Sequence, residues 1–498
     1  MAGTAPSRVA DRSGGAAMRD VSIKDTMSGE RRVIDPSREV GIYACGPTVY
    51  SRIHIGNARP FVIFSLLARF LKSEGYRVRL AINVTDINDK IYTVARERGM
   101  ESAALAEEMT AAYFEDTDRL GLGRPDAEPL ATATIGPIIE LIADLVESGH
   151  AYESGGDVYF SVRSFDGYGK LSHRPTEDME QGEDDAGSLK RDPLDFALWK
   201  SHKEGEDTSW DSPWGPGRPG WHIECSAMAE AELGELPLAI HGGGSDLVFP
   251  HHENEIAQSE AARGRPLARV WMHNGMIETD TEKMSKSEGN IFQLSEAIDR
   301  FGGEAVVAYL VSGHYRQPLA FGEEHLDEAV ARVDRLRNFL RSNPPASGRA
   351  AGSPSESEGR TGEEPASGSP GRPDADRDPG GRAVSRFRDA LADDFNTPKA
   401  MSELFDFVRA ANQEPIPGAG DAVIEMLFLV GLESLAESGD AGPDDAALTL
   451  LDAREKARAD RDFETADRLR EELAELGWEV RDSADGAGLV PRSGASGA

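Results

Sequence analysis

The chain has 498 residues, with 88 Asp and Glu against 54 Lys and Arg and a formal net charge of −34. That length implies about three domains, and no uninterrupted apolar run approaches the ~20 residues of a membrane span. The first seventeen residues, rich in Ala, Gly, Ser and Arg, lack the apolar core of a secretory signal, so a cytoplasmic protein without a membrane partner is expected.

Residues 1–33 read as a leader and entry segment, partly disordered. Val40-Gly-Ile-Tyr-Ala44 then reads as a short buried strand, and a turn containing His54-Ile-Gly-Asn57 opens an apolar-periodic helix over residues 61–71. Strand, loop and helix together present orphan backbone N–H groups and a helix dipole to an anion, and His54 and Asn57 add side-chain donors. Alternation marks a strand over residues 76–82. Residues 95–219 read as an insertion, with a helix spaced by Ile135, Ile138, Ile142 and Leu145, a strand over 157–162, and an exposed acidic loop over 176–185.

The nucleotide-binding fold, begun over 34–94, resumes over 220–300, and an amphipathic helix carrying Leu326, Val330, Val333 and Leu340 ends a helical segment over 301–342. Residues 343–382 are rich in Pro, Gly, Ser and acids with almost no aliphatic content; they cannot bury enough surface to offset chain entropy and read as a disordered linker. A cut there is expected to leave the preceding core whole. Residues 383–482 read as a helical domain that includes a helix over 462–476 and a strand over 477–481, and residues 483–498 read as a flexible tail.

The chemistry concentrates in a few motifs. The chain's two cysteines both lie in them: Cys45 in Tyr43-Ala-Cys-Gly-Pro-Thr-Val-Tyr50 and Cys225 in Gly220-Trp-His-Ile-Glu-Cys225. Phe249-Pro-His-His-Glu-Asn-Glu255 adds imidazoles and carboxylates, so two sulfurs, a nitrogen and an oxygen could close around one zinc ion. Lys283-Met-Ser-Lys-Ser287 offers two ammonium groups on a polar loop.

These motifs, with Asn83-Val-Thr-Asp-Ile-Asn-Asp-Lys-Ile91, Asp195-Phe-Ala-Leu-Trp-Lys200, Trp210-Asp-Ser-Pro-Trp214 and His241-Gly-Gly-Gly-Ser-Asp246, make the chain resemble the cysteinyl-tRNA synthetases, a class I aminoacyl-tRNA synthetase family, over residues 34–482 apart from the linker. The resemblance implies an α/β Rossmann-type catalytic domain with an insertion, followed by an all-α anticodon-side domain. It implies that His54, Asn57, Lys283 and Lys286 stabilise charge during catalysis and that Gly243 and Asp246 join His54, Asn57 and Lys286 in binding ATP. Gly46, Thr85, Trp221 and His241 are its counterparts of the amino-acid pocket, and Cys45, Cys225, His251 and Glu255 of the zinc ligands, with His252 and Glu253 as neighbours only.

The chain departs from the family at Asn57, where the family has histidine; an amide donates a hydrogen bond but carries no charge. The Trp-containing tail of the family is also not evident after residue 484. The implied activity is attachment of L-cysteine to its tRNA with ATP and Mg2+, by a monomer holding one zinc. Arginine preferred to lysine on so acidic a chain further implies adaptation to molar salt, at which close arginine contacts to phosphate survive screening. Two other readings fit parts of the pattern. Ligases that join cysteine to an aminosugar share the catalytic core but lack the helical region over 384–479, and an RNA-binding paralogue with structural zinc has no need of His54, Lys283 and Lys286.

Overall fold

The structure is a computed structural model and describes residues 18–175, 179, 189–234, 236–279, 292–346, 378–436, 445–459, 461–476, 478–483 and 486–491. It opens on an antiparallel hairpin, β1 (Ser22–Lys24) and β2 (Arg31–Val33), whose entering residues Val21 and Ile23 are fully buried. Residues 18–33, the entry segment, are therefore built into the fold. β3 (Val40–Ala44) follows, then α1 (Ile55–Ser73) and β4 (Val78–Ile82). Tyr76 stays out of the strand expected for it, because its hydroxyl accepts from Val21 N–H and donates to Arg19 O.

α2 (Asp89–Arg98) and α3 (Ser102–Asp118) lie inside the segment read as an insertion. Their apolar residues Ala95, Leu105, Met109 and Tyr113 nevertheless share one core with Ile42 and Phe64. An independent core begins only at α4 (Ile135–Glu147), where Ile138, Leu141, Ile142 and Leu145 cover an antiparallel sheet of β5 (Ala151–Ser154), β6 (Asp157–Phe160), β7 (Phe196–Ser201) and β8 (Gly217–Pro219). The expected acidic loop lies outside the described residues except for Met179, which is buried in this second core.

The chain returns through α5 (Trp221–Leu233), β9 (Leu238–Gly244), α6 (Glu253–Arg263) and β10 (Ala268–Asn274). The resulting parallel sheet has the order β10-β9-β3-β4. From β3 the chain winds to β4 on one side, while β9 and β10 lie on the other. The carboxyl ends of β3 and β9 thus flank a topological switch point, where open α/β sheets form their binding crevice.

β11 (Ile277–Thr279), α7 (Leu294–Phe301), α8 (Gly303–Leu310), β12 (Leu319–Phe321) and α9 (Glu323–Ser342) complete the first half, with β11 and β12 paired in parallel. α10 (Pro379–Ala392) starts inside the stretch read as linker: Pro379 suits the first helical position, and the Asp378 carboxylate accepts from Gly380 and Gly381 N–H. Both described ends of that stretch sit on one helix, α12 (Ala419–Leu429), which follows α11 (Thr397–Gln413). Ala346 N–H donates to Asp421 at 3.1 Å, and Gly380 lies against Ala422. α13 (Asp445–Ala459) and α14 (Phe463–Glu475) are followed by a hairpin of β13 (Trp478–Ser483) and β14 (Gly486–Pro491). The C-terminal region is thus not all helical, and residues 486–491 are a strand rather than a flexible tail. Among the described residues no helix is long and apolar enough to cross a membrane.

The helical region is not separable from the catalytic sheet. Leu391, Phe395, Leu404, Val423 and Leu427 belong to the same core as Ile42 and Phe64, so a cut after residue 343 would strip apolar cover from α1 and α9. Asp394 fastens the joint. Fully buried at φ +64°, it donates its N–H to Ser22 O, and its carboxylate accepts from Lys24 N–H, Tyr315 Oη and Arg316 Nε, each at 2.8 Å. Replacing Asp394 with Ala should cost about 3 kcal/mol in denaturant unfolding, since the partly buried Arg316 loses its counter-charge. Asp394→Asn, which tolerates the left-handed backbone and keeps an acceptor, should cost less; equal losses would refute this assignment.

Candidate metal centre and active site

β3 ends at Ala44 and delivers Cys45 into the crevice, where Cys45 N–H donates to Gly242 O of β9 at 2.9 Å. Cys225 projects from α5, His251 from the turn Val248–His252, and Glu255 from the first turn of α6. One donor atom from each of these four residues lies within 4.8 Å of all the others. Cys45 Sγ is 3.6 Å from His251 Nε2 and 3.4 Å from Glu255 Oε1, and that oxygen is 3.1 Å from His251 Nε2. All four side chains are buried.

The electrostatics fit a dication. Burial pushes the Cys45 thiol well above its usual range, and the neighbouring Cys225 and Glu255 push it further. At Cys225 the hydrogen bond with Cys45 acts downward, but burial and the Glu255 charge leave the thiol raised. Burial opposes ionisation of Glu255 as well, yet the His241 and His251 imidazoles hold it below the usual range. Burial lowers His251 to about 3, leaving a neutral ring with a lone pair to give. Its Nδ1 lies 3.0 Å from His222 Nδ1 and Trp221 stacks on its face at 4.4 Å, so Nε2 is held toward the sulfurs. Two thiolates and one carboxylate repel one another, and with the neutral imidazole they form a donor set that a tetrahedral, sulfur-seeking cation would reconcile.

His252 is closer to the centre than a mere neighbour. With Cys45, His241 and Glu255 it forms a second group of mutually close donors that shares two members with the first. Its Nδ1, however, lies 2.7 Å from His273 Nε2, whose other nitrogen meets Thr26 Oγ1. Glu253 faces away and accepts from Gly169 and Ser172 N–H at 2.9 and 2.8 Å, anchoring the insertion.

Of the pocket residues expected from the sequence, Trp221 stacks on His251, and His241 places Nε2 3.1 Å from Glu255 Oε2. Gly46 and Thr85 lie on the other flank, joined through Asn83, as the carboxamide accepts from Gly46 N–H and donates to Thr85 Oγ1. His54 caps α1 with extended backbone, and Asn57 Oδ1 accepts from His54 N–H at 3.4 Å, which spends the amide oxygen locally. Gly243 lies in the carboxyl end of β9 and Asp246 just beyond it, with Asp246 exposed. In the glycine run, Gly242 answers to packing: a Cβ there would collide with Met272 O of β10.

Lys283 and Lys286 lie outside the described residues. The flanks of their segment are nonetheless fixed, by β11 on one side and on the other by Ile55 N–H donating to Phe292 O and Leu294 N–H to Ile53 O, at 3.1 and 3.0 Å. These bonds bring Phe292 and Gln293 beside His54.

Sequence reasoning missed His222, His273, Asn83 and Glu224. His222 had a signal, since it stands one turn before Cys225 on the same helix. His273 had none, because its approach to His252 depends on the β9–β10 pairing.

Residues 32–331 match the profile of the tRNA synthetases class I (C) catalytic domain, residues 386–428 the DALR domain, and residues 440–487 the cysteinyl-tRNA ligase anticodon binding domain. A cysteine–tRNA ligase of Heliobacterium modesticaldum is 43% identical, covering 93% of this chain and 98% of that one. One from Geobacter sulfurreducens is 42% identical over 93% and 98% of the two chains. Among solved structures, Mycobacterium tuberculosis methionyl-tRNA synthetase with methionyl-adenylate superimposes with a TM-score of 0.53 at 14% identity, over 80% of this chain and 90% of that one. Agrobacterium radiobacter leucyl-tRNA synthetase in its ternary complex gives 0.56 at 11%, over 81% and 84%. At those identities the two structures speak for the shared fold. Profiles across catalytic and C-terminal regions, and relatives similar along nearly the whole length, establish that the chain belongs to the cysteine–tRNA ligase family.

Proposed function

We propose that the buried Cys45–Cys225–His251–Glu255 cluster at the switch point is a zinc site that selects L-cysteine for attachment to tRNA. The observation carrying this reading is that four zinc-type donors from three distant motifs meet at the carboxyl ends of β3 and β9, beside the His54 turn. The chain attaches cysteine to tRNA with ATP, through cysteinyl-adenylate and with release of pyrophosphate and AMP. Zinc bound there supplies a soft Lewis acid that favours the cysteine thiolate over the serine hydroxyl.

The protein groups do the rest by position and charge. The amino-acid carboxylate attacks the α-phosphate of ATP, and the acyl group then passes to the 3′ end of tRNA. His54 and the α1 N-terminus receive phosphate oxygens, with Asn57 Nδ2 as a second donor and Lys283 and Lys286 as further positive charges. Mg2+ accompanies ATP. Asp246 and the Gly243 backbone line the adenosine side, while Trp221 and His241 close the amino-acid side. The helical region, locked to the sheet through Asp394, holds the distal part of tRNA, and its binding energy positions the acceptor end. This region also favours a tRNA ligase over an aminosugar ligase.

Cys225→Ser should lose bound zinc on metal analysis and raise the KM for cysteine in pyrophosphate exchange by at least tenfold; a variant that keeps full zinc and unchanged cysteine-over-serine preference would refute the ligand set. Lys286→Ala should slow pyrophosphate exchange by about 100- to 1,000-fold with an unchanged circular dichroism spectrum, and a parallel fall in folded fraction would make it a structural lysine instead. With a net charge of −34, melting temperature and charging activity should both rise from dilute buffer toward molar KCl as carboxylate repulsion is screened. Full stability in dilute buffer would exclude salt adaptation.

A further inference from the structure

Asn83 directly follows β4, is fully buried, and has no part in the reaction as described so far. Its side chain nevertheless ties together three elements around the metal cluster. Asn83 Oδ1 accepts from Gly46 N–H at 2.9 Å, the residue next to Cys45, and lies 3.7 Å from Cys225 Sγ. Nδ2 donates to Thr85 Oγ1 at 3.3 Å. The carboxamide has only one workable orientation: a backbone N–H can only donate, so the oxygen must face Gly46 and the amine must face Thr85. Thr85 is fixed a second time by its side-chain hydrogen bond with buried Glu224, the residue before Cys225.

The backbone enforces the same arrangement. A Cβ on Gly46 would collide with Asn83 O, and Thr85 N–H donates to Pro47 O while Val49 N–H donates to Thr85 O, so residues 46–49 and 83–85 run edge to edge. Only a side chain of this length with one acceptor and one donor can join Gly46 to Thr85 while touching Cys225. Aspartate has the shape but lacks the donor.

We propose that Asn83 is a positioning residue for amino-acid selection, holding the Cys45–Gly46 turn and the Thr85 hydroxyl in one fixed arrangement around Cys225. This rests on the zinc reading of the cluster. Asn83 contacts the flanks of the pocket rather than the phosphates, so its loss should act on cysteine and metal and spare ATP.

The test compares wild type, Asn83→Ala and the isosteric Asn83→Asp as full-length chains loaded with zinc or with Co2+. Both variants should show a KM for cysteine at least tenfold higher in pyrophosphate exchange, with the KM for ATP within about twofold. Their affinity for zinc in chelator competition should fall by about 10- to 100-fold, the range typical when a residue that orients ligands is lost. The sulfur-to-cobalt absorption bands should shift in position or intensity. Cobalt spectra and cysteine KM indistinguishable from wild type would overturn the proposal, as would equal losses for cysteine and ATP or loss of folded protein in both variants. A wild-type chain with no sulfur–cobalt band would overturn the zinc reading itself, and this proposal with it.

Discussion

The site depends on one parallel pairing, that of β3 with β9. These strands sit side by side in the sheet yet are separated by the whole insertion in sequence, and the Cys45 N–H to Gly242 O bond extends their ladder one step past β3. That step sets Cys45 against the end of β9, where His241 and the glycine run lie. Gly242 is required because β10 packs too closely for any side chain there. A larger residue would push β10 outward, carrying His273 away from His252 and loosening the ring packing around His241, whose centroid is 4.6 Å from that of Trp271. Packing far from any substrate atom thus fixes where the sulfurs can meet.

Burial then determines what those groups can do. Five imidazoles, of His222, His241, His251, His252 and His273, are held in and around the centre with little or no exposure. Burial lowers His222, His251 and His273 to about 3 and His252 well below its usual range, so at neutral pH these four rings act as donors of lone pairs and N–H groups and not as charges. These neutral rings around two thiols and a carboxylate would leave a bound cation as the source of positive charge and keep water from competing for it. The nucleotide side has the opposite character. His54 stands at a helix terminus and Asp246 is exposed, in contrast to the buried metal-type donors.

The sequence made the centre legible and the joints illegible, for a physical reason. Metal donors are rare residue types, so two cysteines in 498 residues, each inside a dense motif, point to one place whatever the topology. Asn83 and Glu224 are common residues whose roles exist only after β3, β4 and α5 are assembled. The insertion boundary was misplaced because amphipathic helices look alike whether they cover the first core, as α3 does, or start a second, as α4 does. The linker was read four residues too long because Pro379, Gly380 and Gly381 suit disorder by composition, and only the Asp378 cap and the packing on Ala422 make them a first helical turn. The closing strand over 486–491 carries no alternating pattern of its own and owes its existence to β13.

Ala346, the last described residue before the acidic stretch, and Gly380, in the first helical turn after it, both lie at the start of α12. The chain therefore leaves the fold and rejoins it at one doorstep, and the stretch between them does not span two bodies. Joining ends this near requires little length, and each doubling of the connection adds only about 0.6 kcal/mol of closure entropy. Related chains can gain or lose sequence at this point without altering the joint, and a whole folded domain whose termini lie close together could be spliced in while the charging enzyme kept its architecture.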